Sequence, residues 1–182
     1  MNENVIDICK GNLTKRRFLF IDREIDDELA RYIIYKLLKM DAANHDDITM
    51  FINSDGGRVR AGLAIYDIMN SIKSDVITIG VGRCASMASI ILANGARGKR
   101  YILPHAEVMM HELSAETCGK VTEMQDDLNH SKILNHKLCK LIAAKTNKSY
   151  EQVKRDIRGK DAWMNAKNAL NYGFVDKIID EL

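Results

Sequence analysis

An α/β fold is predicted for this chain on three observations. Short runs of strand-forming residues alternate with stretches of helical apolar periodicity. Two glycine-containing turns, Ile52–Gly57 and Gly82–Ala88, each follow an expected strand and precede an expected helix. The 182 residues hold one proline, Pro104, and no linker-like or low-complexity tract, so residues 1–182 read as one domain around one core. Repeated strand–helix–strand units favour a parallel sheet covered by helices.

The elements follow in order. Arg17–Ile21 is the first expected strand, an apolar run rich in strand formers. Ala30, Ile33, Ile34, Leu37 and Leu38 then recur on one helical face, with Asp26 and Asp27 as cap and first-turn acid. Ile48–Ile52 is the second strand. After Gly56 and Gly57, Leu63, Ala64, Ile68, Met69 and Ile72 form the stripe of a second helix. Val76–Val81 is the third strand, and Ser86–Asn94 a short helix closed by Gly95. Tyr101–Leu103 and Glu107–Met110 are two further strands.

The last third differs. From Gly119 to Lys145 no proline interrupts apolar positions at Val121, Met124, Leu128, Leu134, Leu138, Leu141 and Ile142, which predicts one helix of about 25 residues. Such a helix is marginal alone, so its stripe is expected to pack, a neighbouring subunit being one candidate. Ser149 and Gln152 resemble a capping box for a helix through Ile157. Asn165 can cap a last helix that ends at Tyr172 with Gly173, before a final strand Phe174–Ile179.

Composition excludes several function classes. Twenty-seven basic against 25 acidic residues leave a net charge of +2, without the basic excess that nucleic-acid binding through counterion release requires. No apolar run approaches the roughly 18–20 residues of a membrane span. Glu3 and Asp7 fall early in an N-terminus without a long apolar stretch, so no secretory signal is expected. Cys9, Cys84, Cys118 and Cys139 form no CxxC pair, which predicts reduced thiols and a cytoplasmic protein. His130 and His136, six apart on a helix, point to different faces, and no metal site is expected. Neither glycine segment is GxGxxG or GxxxxGK[ST], so no nucleotide or other cofactor is expected, and neither is the GxSxG elbow.

In an open α/β sheet, reactive groups collect at strand C-termini, where helix N-termini present free N–H groups. A serine nucleophile there needs an imidazole, an orienting carboxylate and two oxyanion donors. Of the eight serines, Ser149 reads as a cap, and Ser71, Ser74 and Ser131 as exposed polar positions. Ser86 opens a helix directly after a buried-looking strand, as a nucleophile or as a simple N-cap. His111 ends a strand and Asp161 falls between two predicted helices; either could be purely structural. Spacing alone does not join the three.

Blocks in register join them. Phe51–Gly57 (Phe-Ile-Asn-Ser-Asp-Gly-Gly), Ile65-Tyr-Asp67, Ala85-Ser-Met87, Ala93–Tyr101, Leu103-Pro104, Val108-Met-Met-His111, and Asp161 with Ala166, Tyr172-Gly173 and Val175-Asp176 occur in one order. From about Arg17 to Leu182 the chain resembles the proteolytic-subunit family of the Clp protease (ClpP). That resemblance implies a crotonase-like α/β fold of repeated ββα units with a protruding long handle, here about residues 112–146, after a short N-terminal segment, 1–16. It implies a serine endopeptidase with Ser86 as nucleophile, His111 as general base and Asp161 as the third triad member. The backbone N–H groups of Gly57 and Met87 match the oxyanion hole, glycine at 57 admitting a second backbone without a Cβ.

The family forms homo-oligomeric heptameric rings stacked as a tetradecamer, and an AAA+ unfoldase feeds it unfolded protein; the subunit itself binds no nucleotide. A structural or regulatory ring subunit that assembles with an active ClpP paralogue is the alternative. The chain departs from the family pattern at Asp55, where proline is usual, at Glu112–Glu116, which lacks the usual proline and glycines, and at Lys160, where arginine precedes the triad aspartate. Thr49 replaces an aromatic of the unfoldase-docking pocket, while Phe51 keeps the other.

Overall fold

The computed structural model describes residues 17–181; the expected N-terminal segment 1–16, with Cys9, lies outside the described residues, as does residue 182. Among the described residues seven strands and six helices run in the order β1 (Phe18–Ile21), α1 (Asp27–Ala43), β2 (Ile48–Ser54), α2 (Val59–Ser71), β3 (Val76–Ala85), α3 (Met87–Ala93), β4 (Arg100–Ile102), β5 (Glu107–Met110), α4 (Val121–Lys145), α5 (Tyr150–Ile157), β6 (Ala162–Asn165), α6 (Ala166–Tyr172) and β7 (Lys177–Ile178). The class is α/β, as predicted.

β1, β2, β3, β4 and β7 lie side by side as a parallel sheet. β3 is the pivot. Its first half pairs with β4 from Thr78 to Gly80, and its second half pairs with β5 from Arg83 to Ala85, also parallel. The division falls at Gly82, whose φ of +65° suits glycine. There the β2–β3 register slips between Ile52 and Ser54, and the Asn53 Oδ1 accepts from the displaced Arg83 N–H at 3.1 Å. β6 completes the branch, antiparallel to β5.

Local chemistry explains several element boundaries. Asp26 Oδ1 accepts from the Leu29 N–H at 2.7 Å to start α1. Ser149 Oγ does the same for Gln152 at 3.2 Å, and Asn165 Oδ1 for Asn168 at 2.9 Å. Gly173 ends α6 at φ +100°, a left-handed cap. The core is continuous: Ile21, Ile33, Leu37, Ile52, Ile65, Ile91 and Phe174 are fully buried, each contributing about 1.5–3 kcal/mol.

Several expectations are corrected. The segment from Gly82 is not a turn, because β3 continues through Ala85. β6 was not expected at all: Ala-Trp-Met-Asn is too short to show a period, and its pairing with β5 decides it. The final strand is two residues rather than six. On α2, Ala64 is exposed while Ala61, Ile65 and Tyr66 face the core. Ser74 is buried, its hydroxyl donating to Asp41 Oδ1 at 2.9 Å. On α4 the stripe divides: Leu138, Cys139 and Ile142 are buried, whereas Val121, Met124 and Leu128 are exposed in this single chain.

One buried ion pair ties the helix ends to the sheet. The Arg100 guanidinium grips Asp176 through Nε and Nη2, at 2.9 and 2.6 Å. Its Nη1 donates to the carbonyls of Ala93 and Lys145, the last residues of α3 and α4, and of Gly173, just past α6. Burial pushes the Asp176 carboxyl upward, but these arginine contacts hold it below the ordinary carboxylate range.

Candidate active site

Ser86 stands where β3 ends and α3 begins. Its φ of 53° makes it the sole non-glycine residue with positive φ among the described residues. Such a backbone costs on the order of 1–3 kcal/mol and persists only where its surroundings impose it. Here the Ser86 N–H donates to the Met109 carbonyl at 2.9 Å, and the Ser86 carbonyl accepts from the Ser89 N–H and hydroxyl at 3.1 and 2.7 Å. The Ser86 side chain makes no capping bond to α3. Its Oγ lies 2.9 Å from Nε2 of His111 instead.

Two strand pairings deliver this meeting. β3 and β5 run parallel with Ala85 opposite Met109, so Ser86 and His111 leave the sheet at the same end. β5 and β6 run antiparallel with Met110 opposite Ala162, and one further step in that register sets His111 opposite Asp161. The Asp161 Oδ1 is 3.9 Å from His111 Nδ1, within ion-pair range but longer than a hydrogen bond. The imidazole is 26% exposed and the carboxylate 58%.

The glycine pair divides its work differently from expectation. A Cβ on Gly56, at φ +94°, would come within 2.7 Å of Ser86 Cβ and 2.9 Å of the Met87 nitrogen. A Cβ on Gly57 would strike the Ile25 backbone instead. Gly56 is therefore the residue whose missing side chain admits the strand end to the serine turn, a requirement that the sequence pattern left to Gly57. Around Gly57 the Ile25 N–H donates to the Gly56 carbonyl and the Arg58 N–H to the Ile25 carbonyl, both at 2.7 Å. In that parallel bridge the N–H of Gly57 points away from Ile25.

Beside Ser86 opens a cavity of about 250 Å³. Gly57, Ser86, Met87 and His111 line it, together with Leu138, Cys139, Ile142 and Ile157 from α4 and α5. The two interior cysteines are poor competitors of the serine. Burial pushes the Cys84 thiol up to about 12, and it donates to the Ile52 carbonyl. Burial, then the nearby Glu112 charge, raises that of Cys139. Asp55, beside Gly56, pairs with Arg83, and the Arg83 guanidinium lies 5.6 Å from the centre of the Trp163 ring.

Among the described residues no group of three or more His, Cys, Asp or Glu is arranged to hold a metal ion, and no helix is long and apolar enough to cross a membrane. The Clp protease family model matches residues 1–182. The chain is 39% identical over 168 residues to the ATP-dependent Clp protease proteolytic subunit 2 of Thermobifida fusca, covering 92% of this chain and 82% of that one. It is 38% identical to the proteins of the same description from Rhodococcus jostii, over 97% of this chain and 90% of the relative, and from Tropheryma whipplei, over 93% and 94%.

Proposed function

The chain belongs to the Clp protease family, and from that premise we propose that Ser86, His111 and Asp161 carry its chemistry. As a proteolytic subunit of that family it is a serine peptidase working with an unfoldase partner. Ser86 Oγ attacks the peptide carbonyl while His111 Nε2 takes its proton, over the 2.9 Å contact that carries this assignment. The tetrahedral oxyanion is received by the backbone N–H groups of Met87, at the start of α3, and Gly57, turned away from Ile25. The imidazolium protonates the leaving amine, and a water activated by the same ring hydrolyses the acyl-enzyme. Asp161 orients the ring and balances its charge once the 3.9 Å gap closes.

The cavity beside Ser86, lined by Leu138 and Ile142, suits an apolar residue preceding the cleaved bond. The family implies oligomeric assembly with Clp ATPases. Heptameric rings stacked as a tetradecamer are the proposed form, supported by exposed Tyr32, Tyr35 and Leu38 on α1 and by Val121, Met124 and Leu128 on α4. An AAA+ unfoldase is proposed to dock at a hollow lined by Phe18, Thr49, Phe51, Ile77, Ile79 and Tyr101. The proposed compartment is the cytoplasm, where ATP for such a partner is available.

Intact-mass spectrometry after fluorophosphonate treatment tests this reading. Wild type gains one adduct per reactive subunit and Ser86→Ala gains none; equal labelling of both removes the assignment. A mixed ring with a paralogue is a second reading, supported by the numbered relatives and by the open His111–Asp161 gap. Co-purification of a second, related subunit from the native source would favour it.

A further inference from the structure

We infer that Glu112 is a positioning residue for the peptidase reaction, latching the segment that carries Asp161 onto the strand end that carries His111. The inference rests on the triad reading above. β5 and β6 stop pairing at Met110 and Ala162, one step short of His111 and Asp161. Beyond that point a side chain continues the connection: Glu112 Oε2 accepts from the Gly159 N–H at 3.0 Å. Glu112 directly follows the imidazole, and Gly159 precedes the carboxylate by two residues. The bond therefore spans the two segments whose separation sets the His111–Asp161 distance.

The Asp161 side chain itself has only the 3.9 Å approach to His111. Its carboxylate is 58% exposed and takes no hydrogen bond among the described residues, so its position follows its backbone. Gly159 has a φ of +65°, a turn that glycine tolerates, and a Cβ there would meet nothing within 4 Å. The glycine answers to the turn rather than to packing, and the Lys160 N–H closes that turn on the Ile157 carbonyl at 3.4 Å. On the other side, the Leu113 N–H donates to Asn135 Oδ1 of α4 at 3.0 Å. Glu112 is thus carried on a segment anchored to the long helix, and it hands that anchorage to the loop bearing the acid. Glutamine at 112 retains an acceptor oxygen of the same reach, and alanine does not.

The test measures fluorophosphonate labelling rates and peptide kcat and KM for Glu112→Ala and Glu112→Gln, each in the Asp161 and Asp161→Asn backgrounds, on particles matched in size by light scattering. Glu112→Ala is expected to slow labelling and lower kcat by about tenfold with KM within about twofold. Glu112→Gln should stay within about twofold of wild type. With asparagine at 161, Glu112→Ala should cost less than about twofold, because its route to the ring has already been removed. An equal loss in both backgrounds, an effect confined to KM, no effect, or failure of glutamine to rescue would each overturn the inference. Should wild type itself not label at Ser86, the triad reading fails first, and that result is read from a separate sample.

Discussion

Nε2 of His111 is 2.9 Å from the Ser86 hydroxyl, while Nδ1 of the same ring is 3.9 Å from the nearer Asp161 oxygen. One contact of the candidate triad is thus at hydrogen-bond distance and the other stands open by nearly an ångström. The difference follows from the supports. Ser86 and His111 end neighbouring parallel strands and Ser86 is bonded to Met109, whereas Asp161 lies past the end of a short antiparallel pair.

Ser86→Ala should abolish peptide hydrolysis, a loss on the order of 10⁶ in kcat. The Ser86 N–H and carbonyl bonds involve backbone, and the hydroxyl caps nothing, so thermal stability and particle size should match wild type. Steady-state assays beside light scattering check both.

Asp161→Asn should lower kcat by about 10⁴, because an amide in place of the carboxylate favours the wrong imidazole tautomer. The prediction requires the 3.9 Å gap to close in the working particle. Activity near wild type would show that the carboxylate never engages the ring.

Gly56→Ala places a methyl group within 2.7 Å of both Ala85 O and Ser86 Cβ, at a φ of +94°. Strain of about 1–3 kcal/mol, together with displacement of the serine turn, should cost both stability and turnover. Urea midpoints and kcat measured on the same preparation would show the two losses together. Retained activity would mean that the turn can shift without moving the hydroxyl.

Ile142→Phe fills part of the cavity of about 250 Å³ beside Ser86. Relative kcat/KM for peptides with leucine or methionine before the cleaved bond should fall by about tenfold or more against alanine peptides. An unchanged ratio would place the recognised side chain elsewhere.

Asp176→Asn breaks the pair with buried Arg100 and should destabilise the fold by about 3–5 kcal/mol. Asp176 is held below the ordinary carboxylate range when folded. Its stabilisation is therefore complete above the ordinary value of 3.8 and is lost as pH falls through the lower folded value. Urea midpoints from about pH 5 to about pH 2 should drop more for wild type than for Asp176→Asn. Parallel curves would assign the acid loss to other carboxylates.

Much of this molecule is local and therefore legible in the chain. The caps at Asp26, Ser149 and Asn165, the left-handed Gly173 and the span of α4 follow from residue types at short spacing, and each was read in place. The candidate triad was named from blocks in register, not from spacing. Residues 25 and 50 positions apart carry no local signal that they will touch.

What only the tertiary structure decided is how those distant segments meet. β6 offers four residues with no readable period, and it becomes a strand because β5 presents an open edge to it. That pairing brings Asp161 opposite His111, and past the end of the ladder at Ala162 the Glu112 carboxylate reaches the Gly159 N–H. The work of Gly56 was equally hidden, since a close approach depends on what lies across the gap. Sequence determines conformations set by neighbours along the chain; contacts across the fold depend on register and packing, which are settled only when the whole core closes.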